Sequence, residues 1–195
     1  MRRISAHHTA GFTLIEILIV TAILAITSIA LVENFSTSRV NVDRAANQLV
    51  SDLRTTQSYA LSTRKTNNLF RCGYGVTRLS PTSYAIYAGS DSSSSNCQNN
   101  RNYNPAQNPI VSTKLFTYQT INFYPTFSDI FFEPPGLKTY INNVSSGNTP
   151  SEKIFVRIDD ADCVNSFSNT RCRLICVYTS GKIEVNRNNN ICPGN

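Results

Sequence analysis

The chain has 195 residues, of which 41% are hydrophobic and only 15% are charged, and its formal net charge is +6. This length suits one domain of ordinary size plus an anchor, and the hydrophobic content excludes a chain that is disordered throughout. The basic residues are scattered, so the charge predicts a solvated surface rather than a dense polyanion-binding run. Nucleotide-binding and hydrolase motifs are missing, and both histidines precede residue 9. We therefore expect a protein that is not an enzyme and holds no cofactor.

An apolar run interrupted by one carboxylate is the first feature along the chain. Nearly every residue from Phe12 to Val32 is apolar or small, and such a run has about the 20 residues that cross a bilayer core. Glu16 lies inside it, although a carboxylate in hydrocarbon costs roughly 2.5 kcal/mol or more. The small residues Ala10 and Gly11 precede the run, whereas an ordinary secretory signal places its cleavage site after it. We expect residues 12–34 to remain as a transmembrane helix.

The residues around Gly11 resemble the class III signal of type IV pilins and pseudopilins. Arg2 and Arg3 lie in a short leader, and "GFTLIE" opens the apolar helix. The resemblance implies a leader peptide at residues 1–11, cleavage between Gly11 and Phe12 by a prepilin peptidase, and N-methylation of the new Phe12 amine. No proline follows the apolar run, where many pilins carry one, which predicts a less kinked helix.

The same resemblance implies a role for Glu16 in assembly. In the pilin family this glutamate neutralises the terminal amine of a neighbouring subunit, and a pair with the amine of Phe12 in the same chain is also sterically open. The partners implied are other pilin or pseudopilin subunits, the prepilin peptidase, the inner-membrane assembly platform and membrane lipid. The implied location is the inner membrane, in a single pass with a cytoplasmic N-terminus, and afterwards a surface fibre.

Helical periodicity continues beyond the membrane segment. The apolar positions recur at intervals of three, four or seven residues: Val42, Ala46, Leu49, Leu53 and Ala60. This stripe predicts an amphipathic helix half at residues 35–65 that faces a β-sheet, with Asn67 and Asn68 as its stop. The segment "LVSDLRTTQSYALSTR" resembles the corresponding helix of GspH/FimT-type minor pseudopilins.

Period-two patterns and turn residues follow over residues 69–195. We predict a hairpin across Ser80 to Thr82, a pair formed by "KIFVRID" and "RLICVYTS", and a further strand "GKIEVNR". "PIVSTKLFTY", "TINFYPTF" and "DIFFEP" complete the predicted strands, which Pro134, Pro135 and Gly136 end. The expected head, residues 35–195, is therefore α+β, with a long N-terminal helix packed on an antiparallel sheet of six to eight strands, a pilin fold exposed to the periplasm or the exterior.

Two polar stretches are predicted to be loops, at residues 90–108 and 142–151. The first is either a plain surface excursion or a ligand-reading loop with Arg101 and Tyr103 at its tip.

Six cysteines follow the apolar run, at Cys72, Cys97, Cys163, Cys172, Cys176 and Cys192. An even count favours disulfides in an exported domain, although six cysteines admit 15 pairings and free buried thiols stay open. Cys163 and Cys172 bracket a polar loop and are the easiest pair to close. Cys72 with Cys97 then ties the long loop to the first hairpin, and Cys176 with Cys192 pins the C-terminus.

The "RIDDADC" stretch offers oxygen ligands for calcium from Asp159, Asp160 and Asp162. It lacks the glycine and the closing glutamate of an EF-hand loop. An acidic turn beside a disulfide is therefore the favoured interpretation, and we expect no metal.

Two hypotheses for the function follow. The first is a structural subunit, minor rather than major because of the long loops and six cysteines, in a type IV pilus-like or type II secretion fibre. The second is a fibre-tip module that captures DNA or another surface ligand, since some FimT-type pilins bind DNA through a G-R-x-R motif. The matching residues here are Gly181 to Glu184, so Lys182 and Arg187 are the candidate contacts, while the Glu184 carboxylate repels phosphate.

Overall fold

The computed structural model describes residues 13–93, 97, 101–118, 120–145 and 152–193, with side chains throughout except at 29–38. The chain divides into two compact units, residues 1–37 and 38–195. Helix α1 comprises Leu14–Leu61 and contributes residues to both units. Among the described residues of the second unit it is the only α-helix.

The helix ends earlier than predicted, and Asn67 and Asn68 do not form its end. Thr63 already has a left-handed φ of 47°, so the helix closes after Leu61. Asn67 and Asn68, at φ 54° and 62°, form the two-residue turn of a hairpin between β1, Lys65–Thr66, and β2, Leu69–Phe70. Such turns need positive φ at both central positions, which asparagine tolerates. The prediction of a helix stop there was wrong.

The remaining strands form two antiparallel sheets. They are β3 Tyr74–Ser80, β4 Ser83–Ala88, β5 Ile110–Leu115, β6 Ile121–Phe123, β7 Ile130–Glu133, β8 Lys138–Ile141, β9 Glu152–Ile158, β10 Cys172–Val177 and β11 Ile183–Asn186. The five-stranded sheet has the order β5-β4-β3-β7-β8, and the four-stranded sheet has the order β11-β10-β9-β6. The β3–β4 hairpin and the pairs β9–β10 and β10–β11 agree with the sequence predictions.

The α+β class is confirmed, with a helix packed on antiparallel sheets in a manner consistent with a pilin fold. The single sheet was wrong, because the chain changes sheet after β5. The Phe116 N–H donates to the Thr82 carbonyl, and the Phe123 N–H donates to the Pro81 carbonyl, so this segment crosses the end of the β3–β4 hairpin and enters the other sheet. As predicted, a strand ends at Pro134, Pro135 and Gly136: β7 stops at Glu133, and these residues lie in the tight connection to β8, where Glu133 pairs with Lys138.

The helix stripe lies in the main core of the head. Its five predicted members are all buried, and they pack with residues of both large sheets: Val42, Ala46, Leu49, Leu53 and Ala60. Burying a leucine side chain stabilises a fold by about 1.5–3 kcal/mol. Polar contacts add direction, since the Tyr84 hydroxyl donates to Asp52 Oδ2 at 2.6 Å and the Gln57 amide donates to the Gly181 carbonyl at 2.7 Å.

Candidate functional site

The helix start is capped by a residue that the sequence analysis missed. The Glu16 N–H donates to the Thr13 side-chain oxygen at 3.3 Å and to the Thr13 carbonyl at 3.1 Å. A threonine cap followed three residues later by glutamate is a recognisable helix start, so Thr-x-x-Glu was the available signal. The cleavage pair Gly11 and Phe12 lies outside the described residues. The Glu16 side chain is exposed and forms no ion pair with any residue the structure describes.

The N-terminal part of α1, from Leu14 to Ile26, exposes large apolar side chains. Leu14 is 79% exposed and Val20, the least exposed of the set, is 51% exposed. The members are Leu14, Ile15, Ile17, Leu18, Ile19, Val20, Ile23, Leu24 and Ile26. Since they include consecutive positions over more than one turn, they occupy every face of the helix.

A membrane crossing was predicted for residues 12–34. Over the residues that the structure describes, we find no helix with both the length and the apolar character that a bilayer crossing requires. Phe12 and the side chains of residues 29–34 lie outside that description.

Both candidate DNA contacts are held by carboxylates of the head. The Lys182 ammonium lies 2.9 Å from Glu184 Oε1, and this contact lowers the pKa of Glu184, helped by the Tyr178 hydroxyl. The Arg187 guanidinium lies 3.6 Å from Asp43 Oδ1. Partner carboxylates cancel much of the charge that phosphate contacts require, so the geometry does not favour this place for DNA.

Asp43 is also the partner of a fully buried arginine, which the sequence analysis did not identify. Arg173 is 0% exposed and binds Asp43 in a bidentate pair, with Nε at 2.6 Å from Oδ1 and Nη2 at 2.9 Å from Oδ2. The pair joins β10 to α1. The hydrogen bond from Arg173 lowers the pKa of Asp43, and the charges of Arg187 and Arg39 act in the same direction. Arg173 lies on the same face of β10 as Ile175, and every residue of that strand is buried, so its position in a buried apolar run was the signal available in the sequence.

The three aspartates considered for calcium each contact a different partner. Asp159 lies 3.3 Å from Arg171, and Asp160 lies 3.4 Å from Arg157. Asp162 accepts N–H bonds from Val164 and Asn165. Among the described residues no cluster of acidic, histidine or cysteine side chains suits a metal ion, and the arrangement is that of an acidic turn.

Residues 7–32 match the family model described as the prokaryotic N-terminal methylation motif. The match supports a type IV pilin-like precursor. The matched segment includes Gly11, Phe12 and Glu16, and the motif implies processing by prepilin peptidase and assembly with other pilin subunits. No curated protein and no solved structure matches the chain.

The head contains three disulfides among the residues that the structure describes. The structure joins Cys72 to Cys97, Cys163 to Cys172 and Cys176 to Cys192, which are the three pairs that the sequence favoured. Cys172 and Cys176 both lie on β10 and belong to a second buried cluster with Phe155, Leu174 and Tyr178. Each bond is expected to contribute about 3 kcal/mol by restricting the unfolded chain.

Arg101 and Tyr103 do not lie at a free loop tip. The Arg101 guanidinium contacts Glu133 at 2.8 Å and covers the Tyr140 ring at 3.7 Å. The Tyr103 N–H donates to an Asp129 carboxylate oxygen at 2.7 Å. Both residues fasten their loop to the five-stranded sheet, so the plain surface excursion describes this segment better than a ligand-reading loop does.

Proposed function

We propose that the protein is a minor pilin or pseudopilin, a structural subunit of a type IV pilus-like or type II secretion fibre. Prepilin peptidase hydrolyses the bond between Gly11 and Phe12, and the new amine is methylated. Residues 12–34 anchor the chain in the inner membrane, with residues 35–195 outside the cytoplasm, until it enters the fibre.

The observation that carries this proposal is the apolar surface of the first helical turns. The large apolar side chains from Leu14 to Ile26 are more than half exposed around the whole helix. An apolar surface of this kind is unfavourable in water and marks a membrane or protein contact. Lipid before assembly and the helices of other subunits afterwards are the two surroundings that the methylation motif implies.

Glu16 fits this scheme through its electrostatics. Its carboxylate has no ion-pair partner among the described residues, and it lies in an apolar surrounding where an unpaired charge is costly. Cleavage before Phe12 creates an ammonium group, whose unpaired charge is equally costly in an apolar surrounding. Pairing the carboxylate with the amine of a neighbouring subunit removes both costs and aligns the two helices in register.

The head supports an exported subunit. Its three disulfides persist only in an oxidising compartment. Its long loops and disulfide-bound second cluster are features that we associate with a minor, GspH/FimT-like subunit rather than with a repeated major one. Lys182 and Arg187 are both paired with carboxylates, which disfavours a DNA-capturing module based on these two cations.

The test is intact-mass and N-terminal analysis of the protein recovered from membranes of a host with and without prepilin peptidase. We expect a chain that begins at methylated Phe12 only when the peptidase is present. A Gly11→Ala variant is the matched control, since it should retain residues 1–11 in both hosts. An uncut N-terminus in the peptidase-containing host contradicts the proposal.

A further inference from the structure

Strand β5 forms one edge of the five-stranded sheet. It pairs with β4 on one side, and no described strand pairs with its other side. The opposite edge strand, β8, has three of its four residues buried. In β5, three of the six residues are exposed, and they are Ile110, Thr113 and Leu115. Over the residues that the structure describes, β5 is therefore the open edge of this sheet.

The hydrogen-bond pattern shows which backbone groups of β5 face outward. The Phe116 N–H donates to the Thr82 carbonyl, which continues the β4–β5 register. Hydrogen-bonded and non-hydrogen-bonded pairs alternate along an antiparallel ladder. Lys114, two residues before Phe116, therefore also bonds to β4. The N–H and C=O groups of Thr113 and Leu115 point to the open edge.

This half of the edge lacks the usual protection against strand addition. Natural edge strands are commonly protected by an outward charge, a proline or a β-bulge. The β4–β5 register shift lies at the Ile110 end of the strand. Lys114 is the one charged residue of β5, and its ammonium lies 3.9 Å from Asp52 of α1, so it points to the helix side. An extended chain can approach Thr113 and Leu115.

The side chains at the open edge define the chemistry of a partner strand. Thr113 and Leu115 lie on the face away from α1, because side chains alternate along a strand and Lys114 faces the helix. Leu115 is 65% exposed, and the Lys114 side chain is 37% exposed. Apolar pairs and opposite charges across two strands stabilise a sheet. A segment with an acidic residue between two apolar residues is complementary to this edge.

We propose that the open edge of β5 binds an extended segment of a different exported protein, which adds to the five-stranded sheet as an antiparallel strand. Its acidic residue lies opposite Lys114, and its two apolar residues lie opposite Thr113 and Leu115. An extended polypeptide fits because its alternate N–H and C=O groups repeat about every 6.8 Å, as those of the edge do. This mode of recognition is β-strand addition. It is separate from fibre assembly through Glu16.

A second copy of this chain fits the edge less well. Antiparallel self-pairing centred on Thr113 places Lys114 opposite Ser112, and pairing centred on Lys114 places two ammonium groups opposite each other. Neither register supplies a carboxylate. Both relate the copies by a two-fold axis normal to the sheet, which reverses the direction of the helix packed on that sheet. Single-pass chains of the same topology share that direction.

The experiment uses the full mature chain in detergent micelles, and its first step is residue-resolved amide hydrogen exchange by NMR without a ligand. We expect the N–H groups of Thr113 and Leu115 to exchange rapidly. Those of Ser112 and Lys114 should exchange slowly, because they donate to β4. Protection of Thr113 as strong as that of Lys114 would show that the edge is already covered.

The second step adds a synthetic probe, the peptide acetyl-TTVEVTT-amide, at up to about 1 mM, so that any Kd tighter than this value is detected. Binding should slow the exchange of the Thr113 and Leu115 amides in a saturable manner. N-methylation of both valines removes the N–H groups that face β5 and should abolish this protection. N-methylation of the glutamate, whose N–H faces away from β5, is the matched control.

Two variants of the chain test the assigned side-chain contacts. Leu115→Ser should weaken binding about two- to fivefold, and the glutamate peptide should bind wild type about 1.5- to fivefold more tightly than its glutamine analogue. Lys114→Gln should remove this preference. The matched control is Leu61→Ser, at another exposed leucine, which should bind like wild type. Disulfide content and near-ultraviolet circular dichroism establish that each head is folded.

The proposal is overturned if no protection appears by about 1 mM peptide, or if the two N-methylated peptides behave alike. It is also overturned if folded Leu115→Ser binds like Leu61→Ser, or if Lys114→Gln keeps the preference for glutamate. Protection of Thr113 that rises with protein concentration in the free chain would assign the edge to a second copy instead. Normal cleavage and fibre incorporation of the variants separate this result from the assembly function.

Discussion

The same type of side chain is buried in one unit of the molecule and exposed in the other. Leu53, in the head, is 0% exposed, while Leu18, in the N-terminal unit, is 60% exposed. Carboxylates differ likewise, because Asp43 holds two arginines and Glu16 pairs with no described residue. Leu53 and Asp43 are thus both satisfied within the head. The N-terminal unit presents Leu18 and Glu16 instead, so its stability depends on molecules outside the chain.

The largest effect that tests this comparison is expected from Glu16→Gln. The neutral amide cannot neutralise a neighbour's terminal amine, so incorporation into fibres should fall more than tenfold while head stability stays unchanged. Immunoblots of sheared fibres against membrane fractions measure the first quantity. Hydrogen exchange of head peptides measures the second.

Glu33→Gln is the matched control, since it removes another carboxylate of the N-terminal unit. It should assemble normally. Equal loss in both variants would show that negative charge in general, rather than the position of Glu16, matters for assembly.

A smaller effect is expected from leucine truncation, and it should appear in one unit only. Leu53→Ala leaves a cavity between helix and sheets and should lower the unfolding free energy of the head by about 2–5 kcal/mol. Leu18→Ala should change it by less than about 0.5 kcal/mol. Urea denaturation of the full chain in micelles, followed by tyrosine circular dichroism, gives both values. A large loss of head stability from Leu18→Ala would contradict the division drawn here.

A third effect concerns the Asp43–Arg173 pair and depends on pH. The pKa of Asp43 in the folded head lies below its ordinary value of 3.8, so its ionised form stabilises the head above about pH 4. This contribution is lost as the pH falls through the folded pKa. Asp43→Asn leaves Arg173 buried without a counter-charge and should cost about 3 kcal/mol at neutral pH.

The difference between wild type and Asp43→Asn should shrink when unfolding is measured near pH 3, because the carboxyl group is then largely protonated in the unfolded chain and the advantage of the folded carboxylate is being lost. Asp160→Asn is the matched control, since Asp160 is fully exposed, and it should differ little from wild type at any pH. A pH-independent difference for Asp43→Asn would point to lost packing instead of lost charge.

Local patterns predicted much of this molecule from sequence, and failures occurred where two patterns compete. The stripe from Val42 to Ala60 has a single interpretation, because one face of the helix must be buried. The strands β9 and β10 are short, mainly apolar runs bounded by turn residues, which also predict strands. Asn67 and Asn68 suit both a helix stop and a tight turn, and only the pairing of β1 with β2 distinguishes these roles. The division into two sheets depends on where residues 116–123 pass, which no local pattern encodes.

The functional residues divide in the same manner. The N-terminal motif is contiguous, so sequence alone indicated Gly11, Phe12 and Glu16, and these assignments stay predictions. Lys182 and Arg187 are paired with Glu184 and Asp43, so they are poor candidates for DNA contacts. The pair of Asp43 with Arg187 joins residues 144 positions apart in the sequence. A short sequence motif does not show that a cation is neutralised by a carboxylate so far away along the chain.

The disulfides have a consequence for proteolysis outside the cell. Residues 164–171 and 187–191 lie outside the strands of the head, so they are natural sites for a protease. Each segment is bracketed by a cystine, Cys163–Cys172 or Cys176–Cys192. A cut in either segment therefore leaves the two fragments covalently joined. On a gel, such damage becomes visible only after reduction, and a nicked head remains one particle.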